Sequence, residues 1–472
     1  MAFVPVNAAT SGFGVLLPLL ILLRLHGSLL DVALAAVLYN SSVILASIVW
    51  GHLSDRSPNR RLFLAVNFTG FAVLYAVLGA VPSLPLLFVL YTVIGCLAPA
   101  GTSASNLLIL EQFPEVERSS AFASFQEMSI LGAIGGLFIG YFWLLAGGAL
   151  APLLYAFGAL AAVSVAAVVW GIEPSPVALT TGHVAHHSAS LVSRLRHFDA
   201  FRSFVPFFPL RPSIARSGLR RFRAWVVVEL HHELPLIIAA GFLFNFAANL
   251  FNTSYTPYLE SVGVASAGIF LINSSNNLAQ GALFPVSGAL ANREGSDRLV
   301  RQATYVRSLG YLAVAGFTFV PMFAAGAFGA NAITFGILGG AIALYSTASS
   351  LILFRGLRGR DAGTILGVNS AFGGVAAVVG ALLSGVLSFY GSYRLTFLVA
   401  AGALLVSLPL WSAAQVAYAN RRRQADTLQA PAPAPGPSEL PGPPRPRPAA
   451  STLAASGLEP ARPPEEPIPT PG

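Results

Sequence analysis

Glu127 is the acidic residue that the sequence places deepest in an apolar stretch. A predicted helix over 119–146 carries it about 12 Å from the helix start, at about 1.5 Å per residue. A carboxylate at that depth in a bilayer is costly unless it faces a polar cavity or a partner. Glu127 is therefore a candidate proton-coupling or solute-contacting group, and the alternative is a structural ion pair with a cytoplasmic arginine.

Amide side chains form a second group of candidates. Asn245 and Asn249 share one helical face of the stretch 234–259, and Asn273, Asn276 and Gln280 share one face of 264–290. Amides in hydrocarbon need hydrogen-bond partners, so these faces are expected to look inward, toward a solute or a neighbouring helix. Solute contact is favoured for Asn245, Asn249 and Asn276. The remaining candidates are Asn106, on a polar face of 85–112, and Asn369, which the internal repeat places at the position equivalent to Glu127.

Composition indicates the kind of chain that positions these groups. Of 472 residues, 55% are hydrophobic and only 10% are charged, against about 25% charged in soluble proteins. These values exclude a secreted disulfide scaffold, a disordered protein and a cytosolic multidomain enzyme. The single cysteine, Cys96, can form no internal disulfide. The chain is therefore predicted to be an all-α polytopic membrane protein.

Apolar runs of about 20 residues predict twelve transmembrane helices. They cover 3–23, 33–50, 62–81, 85–112, 119–146, 149–171, 234–259, 264–290, 300–323, 326–354, 362–390 and 394–419. The predicted domains are an N-terminal six-helix bundle (1–172), a cytoplasmic linker (173–233), a C-terminal six-helix bundle (234–420) and a disordered Pro-rich tail (421–472).

Arginine placement predicts the orientation. The connections on one side hold nearly all the arginines, whereas the other side holds only Arg24 and Arg394. The positive-inside rule then puts both termini in the cytoplasm, and the net charge of +8 needs no nucleic-acid partner. Arg307 is counted among the arginines of the cytoplasmic side, so no arginine is expected in the middle third of a predicted helix. That pattern favours a neutral, amphiphilic or cationic solute.

The two halves read as copies of one unit. The run Gly51 to Arg61 follows the second predicted helix, and Gly288 to Arg298 follows the eighth, at an offset of 237. The first and seventh predicted helices start 231 residues apart, and Arg118 and Arg360, which precede the fifth and eleventh helices, lie 242 residues apart. Three similar offsets in order indicate a six-helix unit used twice, which is a transporter architecture.

The run from Gly51 to Arg61 reads G-x-L-x-D-R-x-x-x-R-R and resembles the signature loop of the major facilitator superfamily. The stretches 12–18 and 111–118 also resemble that family, and the likeness covers residues 1–420. It implies a secondary transporter with alternating access. It also implies that Asp55 contacts the start of the eleventh helix when the cytoplasmic side is closed, with Arg56 and Arg60 bracing this latch. Asn292 replaces the aspartate in the second copy, so a weaker latch is expected there.

Together these features predict a secondary active transporter that moves a small organic solute across the cell membrane, coupled to protons. We expect a monomer with no enzymatic activity, no cofactor and no metal site. Two alternatives stay open: an uncoupled facilitative uniporter, and a transporter-like membrane sensor or scaffold that moves nothing.

Overall fold

The computed structural model describes residues 2–56, 59–80, 83–112, 118–171, 233–319, 324–356 and 362–429. Nearly all of the predicted linker and the tail beyond Gln429 lie outside these ranges. The described chain forms twelve α-helices, numbered here α1 to α12. They are Phe3–Leu19, Leu29–Arg56, Arg60–Gly79, Leu84–Gln112, Arg118–Leu145, Leu150–Gly171, Glu233–Ser261, Ser266–Glu294, Ser296–Phe317, Ala324–Gly356, Ala362–Tyr390 and Tyr393–Gln429.

The predicted all-helical, twelve-helix architecture is confirmed. Within the described ranges, ten helices are long and apolar enough to cross a membrane. The other two are α8 and α9, which are more polar because α8 carries several amides and α9 carries three arginines. Helix α1 continues as a π-helical segment, Leu20–Arg24.

The boundary between α8 and α9 differs from the prediction. A nine-residue connection was expected between 290 and 300, but α8 ends at Glu294 and α9 begins at Ser296. The single residue between them, Gly295, has φ 86°, a left-handed conformation that glycine adopts without a Cβ clash. Helix α9 therefore starts four residues earlier than predicted. It ends at Phe317, whereas the prediction extended it to residue 323.

The helices pack in the same pairs in both halves. Helix α1 packs against α5, α2 against α4, and α3 against α4; six helices later, α7 packs against α11, α8 against α10, and α9 against α10. The halves meet mainly through α2 with α11 and through α5 with α8. These two interfaces are also copies of each other, because α8 repeats α2 and α11 repeats α5. The predicted two-repeat architecture is therefore observed.

Glycines on α5 allow its close approach to α1. A Cβ placed on Gly136 would overlap the carbonyl oxygen of Ala8, and one on Gly132 would lie 3.0 Å from Asn7 Cβ. Small residues at such positions let two helix backbones approach within membranes. The interface also contains a hydrogen bond from Asn7 Nδ2 to Ser129 Oγ at 3.3 Å.

Candidate functional site

The signature run lies where α2 ends and α3 begins, on the side that is predicted to be cytoplasmic. Helix α2 ends at Arg56, and Asn59 caps α3 by accepting a hydrogen bond from the Leu62 backbone N–H at 3.2 Å. Arg60 is buried at the first position of α3. The placement of the Gly51, Asp55 and Arg56 side chains lies outside the described part of the chain. Asn292, in the second copy, is exposed near the end of α8, and the latch stays a prediction.

Two ion pairs join four helices of the C-terminal half near the ends that are predicted to be cytoplasmic. Arg355 on α10 donates two hydrogen bonds to Asp297 on α9, at 2.8 and 2.9 Å, and its Cζ lies 3.9 Å from the Tyr418 ring centroid on α12. Arg421 on α12 pairs with Glu233 on α7. The hydrogen bonds from Arg355 to Asp297 raise the pKa of the Arg355 guanidinium above its ordinary value.

Sequence analysis missed both pairs. Asp297 lies inside the second copy of the motif, but the resemblance drew attention to Asn292 instead. The positions of the two residues could have indicated the pair, because Asp297 is in the first turn of one helix and Arg355 is in the last turn of the next.

Glu127 lies nine residues into α5, about 13 Å from the helix start. Its side chain is exposed. Ile130 and Ile134, three and seven residues further on, share its helical face, and both approach Gly281 of α8, where an added Cβ would lie 3.2 Å from Ile130 and 4.0 Å from Ile134. Glu127 is therefore on the side of α5 that faces the opposite half, about one turn nearer the start of α5 than this contact.

The structure brings Asn245 and Asn369 to the same interface, between α7 and α11. A Cβ on Gly241 would lie 3.8 Å from Asn369 Oδ1, and one on Gly373 would lie 3.7 Å from Asn245 Nδ2. Asn245 donates to the carbonyl of Gly241, and Asn249 donates to the carbonyl of Asn245, both at 2.9 Å. These donors bond to their own helix, so the amide oxygens are the groups that a solute would meet.

The amides of α8 have a different arrangement. Asn276 is buried and donates to the carbonyl of Phe335 on α10 at 2.9 Å, while its Oδ1 accepts from Gln280 at 2.7 Å. Asn273 donates within its own helix to Ile269 at 2.9 Å. Asn276 thus joins α8 to α10, and Gln280 bonds to Asn276 within α8; helix-to-helix bonding was the alternative to solute contact. Asn106 lies on α4, and its side chain falls outside the described residues.

Arg307 does not lie in a cytoplasmic connection. Because α9 begins at Ser296, Arg307 is the twelfth of its 22 residues, and only 3% of it is exposed. The expectation that no arginine occupies the middle of a helix is wrong. The arginine pattern therefore no longer favours a neutral, amphiphilic or cationic solute over an anionic one.

Close contacts join the two halves near the helix ends that are predicted to face outward. A Cβ on Gly140 of α5 would overlap the ring of Phe270 on α8, lying 2.9 Å from Cζ and closer still to two other ring carbons. A Cβ on Gly385 of α11 would overlap the Cβ of Ala33 on α2. The repeat relates these contacts, because Phe270 lies 237 residues after Ala33, which is the offset between the two copies of the signature run. Both contacts require glycine, because any larger residue would overlap the side chain that faces it from the other half.

Comparison with known proteins agrees with this architecture. The family model of the Major Facilitator Superfamily matches residues 1–371 and 237–456. No curated protein sequence matches the chain.

Solved structures with a similar fold include three transporters. A mutant of the nucleoside transporter NupG has a TM-score of 0.65 at 13% identity, covering 88% of this chain and 98% of its own. A POT family transporter in complex with a thioalcohol-conjugated peptide has a TM-score of 0.61 at 12% identity, covering 88% and 94%. The xylose transporter XylE from E. coli has a TM-score of 0.61 at 12% identity, covering 86% and 93%.

At these identities the structural likeness concerns the fold. The match of the family model extends over most of the sequence, and the twelve helices form the expected repeat. The chain is a multi-pass membrane protein and belongs to the Major Facilitator Superfamily of transporters.

Proposed function

We propose that this protein is a secondary transporter that moves a small organic solute across the cell membrane by alternating access, coupled to protons. The supporting observation is how the halves meet. Hydrogen bonds and an ion pair between described residues join members of the same half in Asn7–Ser129, Asn276–Phe335 and Arg355–Asp297. Between the halves, packing contacts predominate.

Such an interface suits a rocking motion. Breaking a directional bond between halves would leave unsatisfied polar groups in a low-dielectric setting, whereas apolar packing surfaces separate without that penalty. The close contacts at Gly140 and Gly385, where an added Cβ would overlap a side chain of the opposite half, support an outer side that is tightly closed. In this proposal the outer ends separate in the opposite state, and the latch of Asp55 with Arg56 and Arg60 holds the cytoplasmic side closed.

Glu127 is the proposed proton-coupling residue. It faces the opposite half, next to apolar contacts that change when the halves move. A carboxylate there is costly when it is charged and enclosed by apolar groups, and protonation removes the charge. Exposure to one side would therefore favour proton release, and enclosure would favour proton retention, so the carboxyl group can carry a proton between states.

The oxygens of Asn245 and Asn369 are proposed to contact the solute, with Asn249 next to them. Asn245 is exposed, and the three residues lie on α7 and α11 near the same interface. We further infer a monomer in the cell membrane with both termini cytoplasmic, as the arginine distribution predicts.

The decisive experiment uses the purified full chain in liposomes that contain a pH-sensitive dye. The solute panel includes sugars, nucleosides, peptides, amino acids, organic cations, organic acids and hydrophobic drugs. Solute-dependent proton flux in the wild type, lost in Glu127→Gln, is the expected result. Glu260→Gln is the matched control, because it changes a carboxyl group near the outer end of α7.

The outcomes separate the candidate functions. Solute entry without proton flux, unchanged by Glu127→Gln, would contradict coupling and favour the uniporter. Absence of solute and proton movement across the whole panel would favour the sensor or scaffold.

A further inference from the structure

A cavity of about 630 Å³ lies between four helices of the C-terminal half, at the ends that are predicted to face outward. It is bounded by the ends of α7 and α9 and by the starts of α10 and α12. Tyr258 and Ala327 in its lining are buried, whereas Phe319 and Arg394 are exposed. The cavity therefore has a closed base and an open mouth, and its volume is within the range of small-molecule sites.

The cavity lies at the boundary of the bilayer. The apolar span of α7 ends at Ser261, and the span of α12 begins at Tyr393; both residues line the cavity. Lipid headgroups occupy this level, and tyrosine side chains are enriched there because their rings are amphipathic. A ligand in the cavity would meet water on one side and acyl chains on the other.

Arg394 is a cation with available hydrogen-bond donors. Its Cζ lies 3.4 Å from the Phe319 ring centroid. Ion pairs between described residues are made by Arg298, Arg355 and Arg421, and none of them includes Arg394. A cation–π contact uses the charge and not the N–H groups as donors, so these can bind an anion. Arg24, the other arginine of this side, instead donates to the Gly79 carbonyl at 3.1 Å.

An exposed apolar row runs from Arg394 along α12. Leu398 and Leu405 follow Arg394 by four and eleven residues, so the three share one helical face. The two leucines are 39% and 40% exposed. Gly402 lies between them, and a Cβ there would meet nothing within 4 Å. An acyl chain can follow this row while the headgroup to which it is attached stays at the cavity.

A nearby carboxylate limits the charge of the ligand. Glu260 directly precedes Ser261, and its charge interacts with Tyr393. The surroundings of the cavity are therefore not uniformly positive. A multiply charged anion would be repelled by the carboxylate, whereas a phosphodiester carries a single negative charge and matches the single guanidinium.

The repeat indicates that the fold does not require this cation. Helix α12 repeats α6, whose first turn reads Leu-Ala-Pro-Leu and contains no charged residue. A purely architectural need for an arginine at the start of this helix would apply to both copies.

We propose that this cavity binds the headgroup of a phospholipid from the leaflet on the side predicted to face outward. Arg394 donates hydrogen bonds to the phosphodiester oxygens, and the rings of Phe319 and Tyr393 pack against the glycerol backbone. An acyl chain lies along the row from Leu398 to Leu405. The proposal concerns binding alone and does not depend on transport.

The test follows lipid binding by native mass spectrometry of the purified, delipidated full chain. The probes are dioctanoyl phosphatidylethanolamine, dioctanoylglycerol, which lacks the phosphodiester, and glycerophosphoethanolamine, which lacks the acyl chains. We expect saturable binding of one phospholipid to the wild type and weaker binding of the other two probes. Arg394→Gln should weaken the phospholipid affinity by about tenfold or more, because a hydrogen bond to a charged group contributes at least that factor. Arg24→Gln is the matched control and should leave the affinity unchanged.

Thr318→Trp tests the place independently of the charge. It keeps Arg394 and puts an indole ring into the cavity that Thr318 lines, so it should also weaken phospholipid binding. Equal affinity in the wild type and in both Arg394→Gln and Thr318→Trp overturns the proposal, as does an equal loss in Arg24→Gln. Equal binding of dioctanoylglycerol overturns the role of the phosphodiester, and equal binding of glycerophosphoethanolamine overturns the assignment to a lipid.

Discussion

Replacing Gly140 with alanine would test the closed contact between the halves. The new Cβ would lie 2.9 Å from Phe270 Cζ and nearer to two other ring carbons, whereas nonbonded carbons normally approach to about 3.5–4.0 Å. Phe270 is fully buried, so its ring has no free space to move into. Overpacking of this kind costs about 1–3 kcal/mol. If the outer ends separate during transport, the penalty falls only on the closed state and shifts the equilibrium toward the open one by about 5- to 150-fold.

Labelling of a single cysteine measures that shift. Cys96, the only native cysteine, is first replaced by serine, and Asn252, which is exposed on the half of α7 that is predicted to face outward, is replaced by cysteine. A membrane-impermeant maleimide is then added from outside. Gly140→Ala should increase the labelling rate by up to the same factor. The second substitution Phe270→Ala should remove most of the effect, because it removes the ring that the new methyl group meets.

Gly135→Ala is the matched control in the same helix, since a Cβ there would meet nothing within 4 Å. Equal labelling rates in Gly140→Ala and Gly135→Ala would refute the reasoning. So would a double variant that labels as fast as Gly140→Ala although Phe270→Ala alone has no effect.

Three further predictions concern the helix contacts. Asp297→Asn should destabilise the fold by about 1–3 kcal/mol, measured by thermal unfolding. Because the hydrogen bonds to Asp297 raise the pKa of Arg355, the stabilising contribution of the Arg355 charge is present below the ordinary arginine pKa and is lost only as pH rises through the raised pKa. Gly136→Ala should abolish folded expression, judged by size-exclusion chromatography, because its Cβ would overlap the Ala8 carbonyl; normal yield would contradict the tight α1–α5 packing. Asp55→Asn should slow solute transport in liposomes, and unchanged rates would argue against the latch.

The helix count and the repeat were predictable because both depend on local properties. An apolar run of about 20 residues inside a bilayer must satisfy its backbone N–H and C=O groups internally. A helix does this whatever its neighbours are. The offsets 231, 237 and 242 recur because each half contains the same series of helices. Helix ends were less predictable: Gly295 allows α8 and α9 to follow each other with one residue between them, whereas the polar stretch around it resembled a loop.

The candidate amides show where local reasoning stops. Periodicity correctly grouped Asn276 with Gln280, and they share a hydrogen bond at 2.7 Å. It could not indicate that the Asn276 donor bonds to Phe335 on another helix, because that depends on the rotation of α8 against α10. The roles of Asn245, Asn249 and Asn369 in solute contact, and of Glu127 in coupling, remain predictions.

The sequence by itself determined a membrane protein of twelve helices in two related halves, because hydropathy, length and repetition are written along the chain. Only the tertiary structure decided which polar groups meet. Asp297 and Arg355 are far apart in sequence and become partners because α9 and α10 are antiparallel neighbours. Arg307 becomes a buried cation because an early helix start moves it inward. The register and rotation of each helix are set by packing against residues distant in sequence, and a linear pattern does not contain that information.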